Sequence, residues 1–154
     1  MRITLLAVGR LRPHYRAACD DYLARLRRYA RVTEREVREG TPARPPAEQR
    51  AEEAERLSAH LPPGTRLVAL ARAGTALSSE DLARRLERWT LEARPLAFAI
   101  GGSTGLADEF LARAELAWSL GPLTLPHELA RVVVCEQLYR AFTILRGEPY
   151  HKGK

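Results

Sequence analysis

Three short apolar runs alternate with longer helical patterns, and this alternation limits the folds that are open to the chain. Continuous apolar runs bounded by turn residues are typical of strands that are buried on both faces of a parallel sheet. The runs are "ITLLAV" (3–8), "TRLVALA" (65–71) and "PLAFAI" (95–100), and helical patterns occupy 13–30, 47–60 and 127–145. The sequence therefore predicts an α/β fold with a mostly parallel sheet and helices on both faces.

The segments between these elements predict one more strand, a loop and two more helices. "VTEREV" (32–37) alternates in polarity and predicts a strand with one wet face, followed by a proline-rich loop over 38–46. Ser78 with Asp81, or Ser79 just before Glu80 and Asp81, predicts the cap of a helix that ends near Glu92. A further helix is predicted from Ala107 or Asp108 through Ala117. A length of 154 residues suits a single domain, 1–154.

The charge of the chain favours a polyanionic partner. The formal net charge is +6 and the isoelectric point is about 9.9, which makes nucleic acid the first candidate. An arginine-rich composition without functional meaning is the alternative, since Lys152 and Lys154 are the only lysines. The basic stretches 9–16 and 25–31 contain tyrosines that could stack on bases or pack into the core, and the core interpretation is favoured for them.

Metal, disulfide and membrane chemistry receive no support from the sequence. Cys19 and Cys135 lie far apart, and the four histidines share no ligand spacing, so no metal site is predicted. The apolar part of "MRITLLAVGRL" is too short for a signal peptide, and no apolar run approaches the roughly 20 residues of a membrane span. We therefore expect a cytoplasmic protein that does not bind membranes.

The stretch "LAFAIGGSTGL" (96–106) places glycines at the end of a predicted strand. Open α/β sheets bind ligands beyond the carboxyl ends of their strands, but a tight turn would use the same residues. No "GK[ST]" follows, which excludes a Walker loop, and the first strand lacks a dinucleotide fingerprint. A second irregular segment, "SLGPLTLPHELAR" (119–131), offers backbone groups that suit an adenine ring or a ribose.

The pattern of the final helix is apolar around most of its circumference. A helix of this kind needs partners on several sides. A second subunit and a central position in the core are alternative explanations. The apolar residues are Leu129, Val132, Val133, Val134, Cys135, Leu138, Phe142 and Leu145.

Several of these motifs together resemble one protein family. "AIGGSTGL", "WSLGPLTLPHELARVVVCEQLYRAFTI" and "GEPYHK" resemble the RlmH family of SPOUT-class methyltransferases, and "ITLLAVGRL", "YLARLRRYA" and "LVALARAG" match in order. The resemblance implies S-adenosylmethionine-dependent methylation of N3 of a pseudouridine in 23S (large-subunit) ribosomal RNA. It also implies a C-terminal trefoil knot and a homodimer whose sites are completed by the partner chain. The RNA would be bound within the ribosome or the large subunit.

The resemblance also assigns site residues. The cofactor-binding residues implied are Leu70, Gly101, Gly102, Gly121, Pro122, Leu123, Thr124, Leu125 and Pro126. The catalytic candidates are His127, Arg131, Arg140, Tyr150 and His151. Tyr139 is a further candidate, for which a place in the core is the alternative. A neutral histidine could accept the imide proton, and an arginine could stabilise the resulting anion. "LARAG" (70–74) departs from the family by lacking an acidic residue after the leucine.

Two other classes of protein stay open at the level of sequence. A non-catalytic basic protein that binds RNA or the ribosome would explain the charge but not the two glycine-containing loops. A small-molecule enzyme on a doubly wound sheet would explain the loops but not the charge.

Overall fold

The computed structural model describes the backbone of residues 1–152 and the side chains of residues 1–150. The elements are β1 (Arg2–Val8), α1 (Pro13–Leu26), β2 (Arg31–Val37), α2 (Pro46–Ser58), β3 (Arg66–Ala76), α3 (Ser79–Glu92), β4 (Leu96–Ile100), α4 (Asp108–Leu111), β5 (Leu116–Ser119) and α5 (His127–Leu145). A 3₁₀ turn over Pro149–Lys152 follows. The five strands form one parallel sheet in the order β2-β1-β4-β3-β5. The predicted α/β fold with a parallel sheet is confirmed.

Helices cover both faces of this sheet, and β4 shows why its sequence is apolar throughout. Phe98 and Ile100 belong to the core that the sheet forms with α1, α3 and α5. Ala97 and Ala99 belong to the core on the opposite face, with α2 and α4. Because both faces of the sheet are covered, β4 has apolar side chains on both of its faces.

The cap of α3 lies where the sequence predicts it. The Ser78 hydroxyl accepts a hydrogen bond from the Asp81 backbone N–H at 3.0 Å, and the Asp81 carboxylate accepts one from the Ser78 N–H at 3.4 Å. This reciprocal pair satisfies two N–H groups that the first helical turn leaves free. The helix ends before Ala93, which adopts a left-handed conformation with φ of 57°.

One predicted element is wrong. The helix expected through Ala117 ends at Leu111, and residues 116–119 form the fifth strand instead. The Glu115 N–H donates to the Leu67 carbonyl at 2.9 Å, which starts the pairing with β3. Trp118 is 2% exposed in the sheet core, so burial of this large side chain overrides the local helical pattern.

The final helix occupies a central position in the core. Its residues Val134, Cys135, Leu138 and Ala141 are fully buried in the cluster that also contains residues of α1 and α3. Tyrosines of the basic stretches, including Tyr29, pack partly buried against this cluster. The core interpretation of both features is therefore confirmed.

Candidate functional site

A cleft of about 480 Å³ lies beyond the carboxyl ends of β4 and β5 and beside residues 70–73 of β3. This edge of an open parallel sheet is where ligands bind, and the volume falls within the range of about 300–1,000 Å³ that is usual for small-ligand sites. The lining residues come from 70–73, 100–106, 118–125 and the start of α5, together with Leu111. The two loops singled out in the sequence thus meet in one cavity.

A bulge in β3 shapes the first wall of the cleft. The pairing of β3 with β5 shifts register between Leu70 and Thr75, so the intervening residues leave the ladder. A Cβ at Gly74 would lie 2.4 Å from the Ala117 carbonyl oxygen, and only glycine therefore fits there. The bulge presents Arg72, which is exposed and, among the lining residues described, is the only one with a permanent charge.

The glycines of the second wall serve the loop itself. A Cβ at Gly101 would lie 2.7 Å from the carbonyl carbon of Gly105, and a Cβ at Gly102 would lie 3.0 Å from Val8 Cγ1. The Gly105 N–H closes the turn on the Gly102 carbonyl at 3.1 Å. Both backbones line the cleft. A new Cβ at either position would meet protein, so the absence of side chains at Gly101 and Gly102 is required by the packing of the loop.

The third wall depends on Gly121. Its φ of +114° is in the region that favours glycine, although a Cβ added there would meet no other atom within 4 Å. The Ser119 hydroxyl accepts from the Gly121 N–H at 3.1 Å and donates to its carbonyl at 3.2 Å, which fixes the turn. Gly121, Leu123, Thr124 and Leu125 line the cleft, as does Leu70 on the first wall; Pro122 and Pro126 do not.

Two buried polar atoms in the lining residues have no protein partner. They are Trp118 Nε1 and Thr104 Oγ1. Buried polar groups are nearly always hydrogen-bonded, so these two atoms have free hydrogen-bonding capacity for a water molecule or a polar ligand. His127 is half-buried at the first position of α5 and also lines the cleft.

Arg131, a predicted catalytic residue, is enclosed away from the cleft. Its side chain is 1% exposed and donates to Glu34 Oε2 at 3.0 Å, to Glu36 and to the Gly9 carbonyl at 2.9 Å. The guanidinium therefore joins α5 to β1 and β2. The two glutamates are not among the residues predicted for the site, and the only signal for them in the sequence is their position on the solvent-facing side of "VTEREV" (32–37).

Arg140 and Tyr150 form a cluster with Glu136. The Tyr150 hydroxyl and Arg140 Nη2 both donate to Glu136 Oε2 at 2.8 Å. Burial, followed by the hydrogen bond to Glu136, raises the pKa of Tyr150. Tyr139 is buried beside this cluster, with its ring centroid 4.6 Å from that of Tyr150. The side chain of His151 lies outside the described residues.

This cluster is distant from the cleft in the same chain. Arg140 follows His127 by 13 positions on α5, which corresponds to a separation of about 20 Å along the helix axis. The structure therefore divides the predicted catalytic residues between three places: the cleft, the interior and the Glu136 cluster.

Neither metal nor membrane features are found in the described part of the chain. No group of three or more His, Cys, Asp or Glu side chains in it could hold a metal ion. None of its helices is long and apolar enough to span a membrane.

Comparison with known proteins assigns the class. Residues 1–151 match the family described as "Predicted SPOUT methyltransferase", and the chain belongs to this family. The predicted methyltransferase class is confirmed by this membership.

Three similar proteins share one name, which makes the family assignment more specific. A relative from Rubrobacter xylanophilus is 53% identical over 97% of this chain and 98% of its own length. Relatives from Nitratidesulfovibrio vulgaris (strain Miyazaki F) and Anaeromyxobacter sp. (strain Fw109-5) are 49% and 48% identical, over 97% and 99% of this chain and 97% and 100% of their own lengths. All three are named "Ribosomal RNA large subunit methyltransferase H", which confirms the resemblance to that family.

A solved structure is also similar. The SpoU methyltransferase AviRb from Streptomyces viridochromogenes, crystallised with the cofactor AdoMet, matches with a TM-score of 0.47 and 15% identity. The match covers 89% of this chain and 56% of that chain.

Proposed function

We propose that this protein transfers a methyl group from S-adenosylmethionine to N3 of a pseudouridine in 23S ribosomal RNA of the large subunit. The observation that carries the proposal is the convergence of three loops on one cleft at the carboxyl ends of parallel strands. Membership in the SPOUT methyltransferases supports the reaction. The names of the relatives support the substrate.

The residues of the cleft suit this cofactor. Leu70, Ile100 and Leu125 give apolar walls for an adenosyl group, and the loops offer backbone donors and acceptors. No carboxylate is among the lining residues described, and Arg72 is placed to pair with the carboxylate of the methionine part. The unpaired Trp118 Nε1 would find an acceptor. When bound, the cofactor supplies a methyl group that its sulfonium has already activated.

The protein's own residues then have two tasks. The walls of the cleft hold the base in line with the methyl group, because alignment is the main contribution to a displacement of this kind. His127, the histidine that lines the cleft among the described side chains, is placed to accept the N3 proton.

We propose a homodimer in which the Glu136 cluster of one protomer completes the cleft of the other. Within one chain, Arg140 lies about 20 Å along α5 from His127, too far to contact the same base. A two-fold axis can bring one protomer's cluster to its partner's cleft. We place residues 1–154 in one knotted SPOUT domain, acting in the cytoplasm on RNA within the ribosome or the large subunit.

Titration calorimetry with S-adenosylmethionine tests the cofactor. We expect binding that a Leu125→Asp change in the cleft wall weakens at least tenfold, while a matched change at Leu91, which is 81% exposed on α3, leaves it unchanged. Absence of binding at millimolar ligand would contradict the proposal.

Mass spectrometry of large-subunit RNA tests the substrate. We expect one N3-methylated pseudouridine that disappears in a deletion strain and returns when the gene is restored. An unchanged set of methylated bases, together with retained binding to ribosomes, would instead support the non-catalytic RNA-binding alternative.

A further inference from the structure

A basic groove lies at the end of the sheet opposite to the cleft, where β1 and β2 begin. It is open, has a volume of about 700 Å³, and has no acidic residue in its lining. The lining residues are Met1, Arg2, Arg27, Arg28, Tyr29, Ala30, Arg31 and Val32, and we call this surface the arginine groove. All four of its arginines are exposed.

The positive charge of the arginine groove is not neutralised by the protein. Within the described residues, no carboxylate oxygen lies within 4.0 Å of these four guanidinium groups. Neighbouring arginines behave differently, since Arg25 pairs with Asp21 at 3.3 Å and Arg94 with Glu115 at 2.9 Å. The groove therefore concentrates the unpaired cations of this end of the molecule.

Helix electrostatics explain only part of this concentration. Cations are favoured at the C-terminal end of a helix, which accounts for Arg27 and Arg28 at the end of α1. Arg2 and Arg31 begin β1 and β2 instead, and their register pairing places them side by side. Four arginines thus converge from three elements, and no single local preference requires all of them.

The wall of the groove is held in place by the core. The Tyr29 hydroxyl donates to Glu148 at 2.6 Å, and its ring stacks on Phe142 with centroids 5.4 Å apart. Arg27 Nε donates to the Val32 carbonyl at 3.3 Å. A fixed concave surface loses little conformational entropy when it binds a ligand.

We propose that the arginine groove binds phosphates of an RNA backbone and so forms a second RNA contact, separate from the cleft. Guanidinium groups match phosphate oxygens through paired hydrogen bonds, and such contacts position RNA without reading its bases. The identification of RNA as the polyanion rests on the proposed function and on the net charge of +6.

The position of the groove has a consequence for the substrate. β1 runs six residue steps from Arg2 in the groove to Val8 beneath Gly102 of the cleft loop, a length of about 20 Å. An RNA that reaches both surfaces of one protomer must extend at least this far. The groove therefore favours RNA that is long enough to reach both surfaces over short oligonucleotides that only fill the cleft.

Charge reversal with a matched control tests the proposal. The groove variant is Arg28→Glu/Arg31→Glu, and the control is Arg35→Glu/Arg88→Glu, which changes the net charge equally at two exposed arginines outside the groove and outside the ion pairs found. The probe is a synthetic RNA hairpin without pseudouridine, measured by filter binding at several salt concentrations and without cofactor. A neutral variant, Arg28→Gln/Arg31→Gln, covers the case in which charge reversal perturbs folding.

We expect the groove variant to bind the hairpin at least roughly tenfold more weakly, with a shallower dependence of affinity on salt, by about one contact per arginine. The control should stay within about threefold of the unmodified protein. Equal losses in both variants would overturn the proposal, because they indicate a diffuse effect of net charge. Unchanged hairpin affinity with an altered sedimentation coefficient would overturn it in favour of a subunit contact.

Failure of this proposal and failure of the proposed function are distinguishable. The hairpin contains no pseudouridine, so its binding to the groove does not depend on methyl transfer. Binding of S-adenosylmethionine is measured in parallel and should be equal in all variants, since the groove and the cleft share no lining residue.

Discussion

The Arg131 side chain on α5 and the Gly9 carbonyl after β1 are joined by a buried hydrogen bond of 2.9 Å. The same guanidinium pairs with Glu34 and Glu36 on β2, while Arg16 on α1 pairs with Glu34 at 2.6 Å. This network connects the helix that carries His127 to the edge of the sheet. Arg131 therefore has a structural role that a contact with substrate would not explain.

Replacing Arg131 by Met should destabilise the protein by about 3 kcal/mol, because it leaves two glutamates facing an apolar side chain. The measurement is unfolding by urea. The control is Arg35→Met, an exposed change on the same strand as the glutamates, which should cost less than about 0.5 kcal/mol. Wild-type stability together with lost methyl transfer would instead restore the catalytic role predicted from the sequence.

Gly102→Ala tests whether the second glycine serves packing. The new Cβ would lie 3.0 Å from Val8 Cγ1, so we expect a loss of about 1–2 kcal/mol from overpacking. Adding Val8→Ala should remove the clash, and the double variant should be more stable than the sum of the single changes by about 1 kcal/mol. Unchanged stability of Gly102→Ala with abolished cofactor affinity would show that the glycine makes room for a ligand.

Gly121→Ala tests the third wall of the cleft. The φ of +114° strains any other residue although the surrounding space is open, and a strain of about 1–3 kcal/mol should shift the loop. We expect S-adenosylmethionine affinity to fall about tenfold. Gly147→Ala is the matched control, because its φ of +66° is also positive and its surroundings are open, but it lies outside the cleft. Equal affinity in both variants would contradict a role of this wall in binding.

Burial and periodicity explain how much of this fold the sequence could predict. The strands β1 and β4 and the helix α5 are recognisable because each is buried on most sides, so their composition reports the environment directly. β5 has only four residues, too few to establish a period, and its burial depends on a partner strand almost 50 positions earlier. No local pattern carries that information.

In the candidate site, too, local features could be predicted from the sequence and contacts between distant residues could not. The two loops could be located from their glycines and prolines, since these residues mark irregular backbone. Their spatial meeting follows from the parallel strand order. The structural role of Arg131 could not be predicted, because the sequence does not distinguish a buried arginine from a catalytic one. The distinction requires knowing which acids face it in the fold.

Alkaline pH should weaken the fold through Tyr29. Burial, followed by the hydrogen bond to Glu148, raises the pKa of Tyr29 to about 12. The unfolded chain loses this proton near pH 10, so the contribution of Tyr29 to the free energy of unfolding should be constant below that pH and should be lost as the pH rises toward 12. Urea unfolding across this range should show a shallower decline in Tyr29→Phe, which keeps the stacking on Phe142. An identical decline in both proteins would exclude Tyr29 as its source.

Mixed dimers test whether two protomers share each active site. One chain carries Gly121→Ala in the cleft, and the other carries Arg140→Ala in the Glu136 cluster. At subsaturating S-adenosylmethionine, the first variant alone should keep about a tenth of the wild-type methyl transfer, and the second alone should be nearly inactive. If the cleft of one protomer works with the cluster of the other, every mixed dimer contains one intact site and one doubly altered site. Random mixing should then restore roughly a quarter of the wild-type methyl transfer, because about half of the dimers are mixed. A mixture that remains inactive would show that each site is built from a single chain. Activity above that level would show that one of the two variants is not defective, and each homodimer assayed alone controls for this.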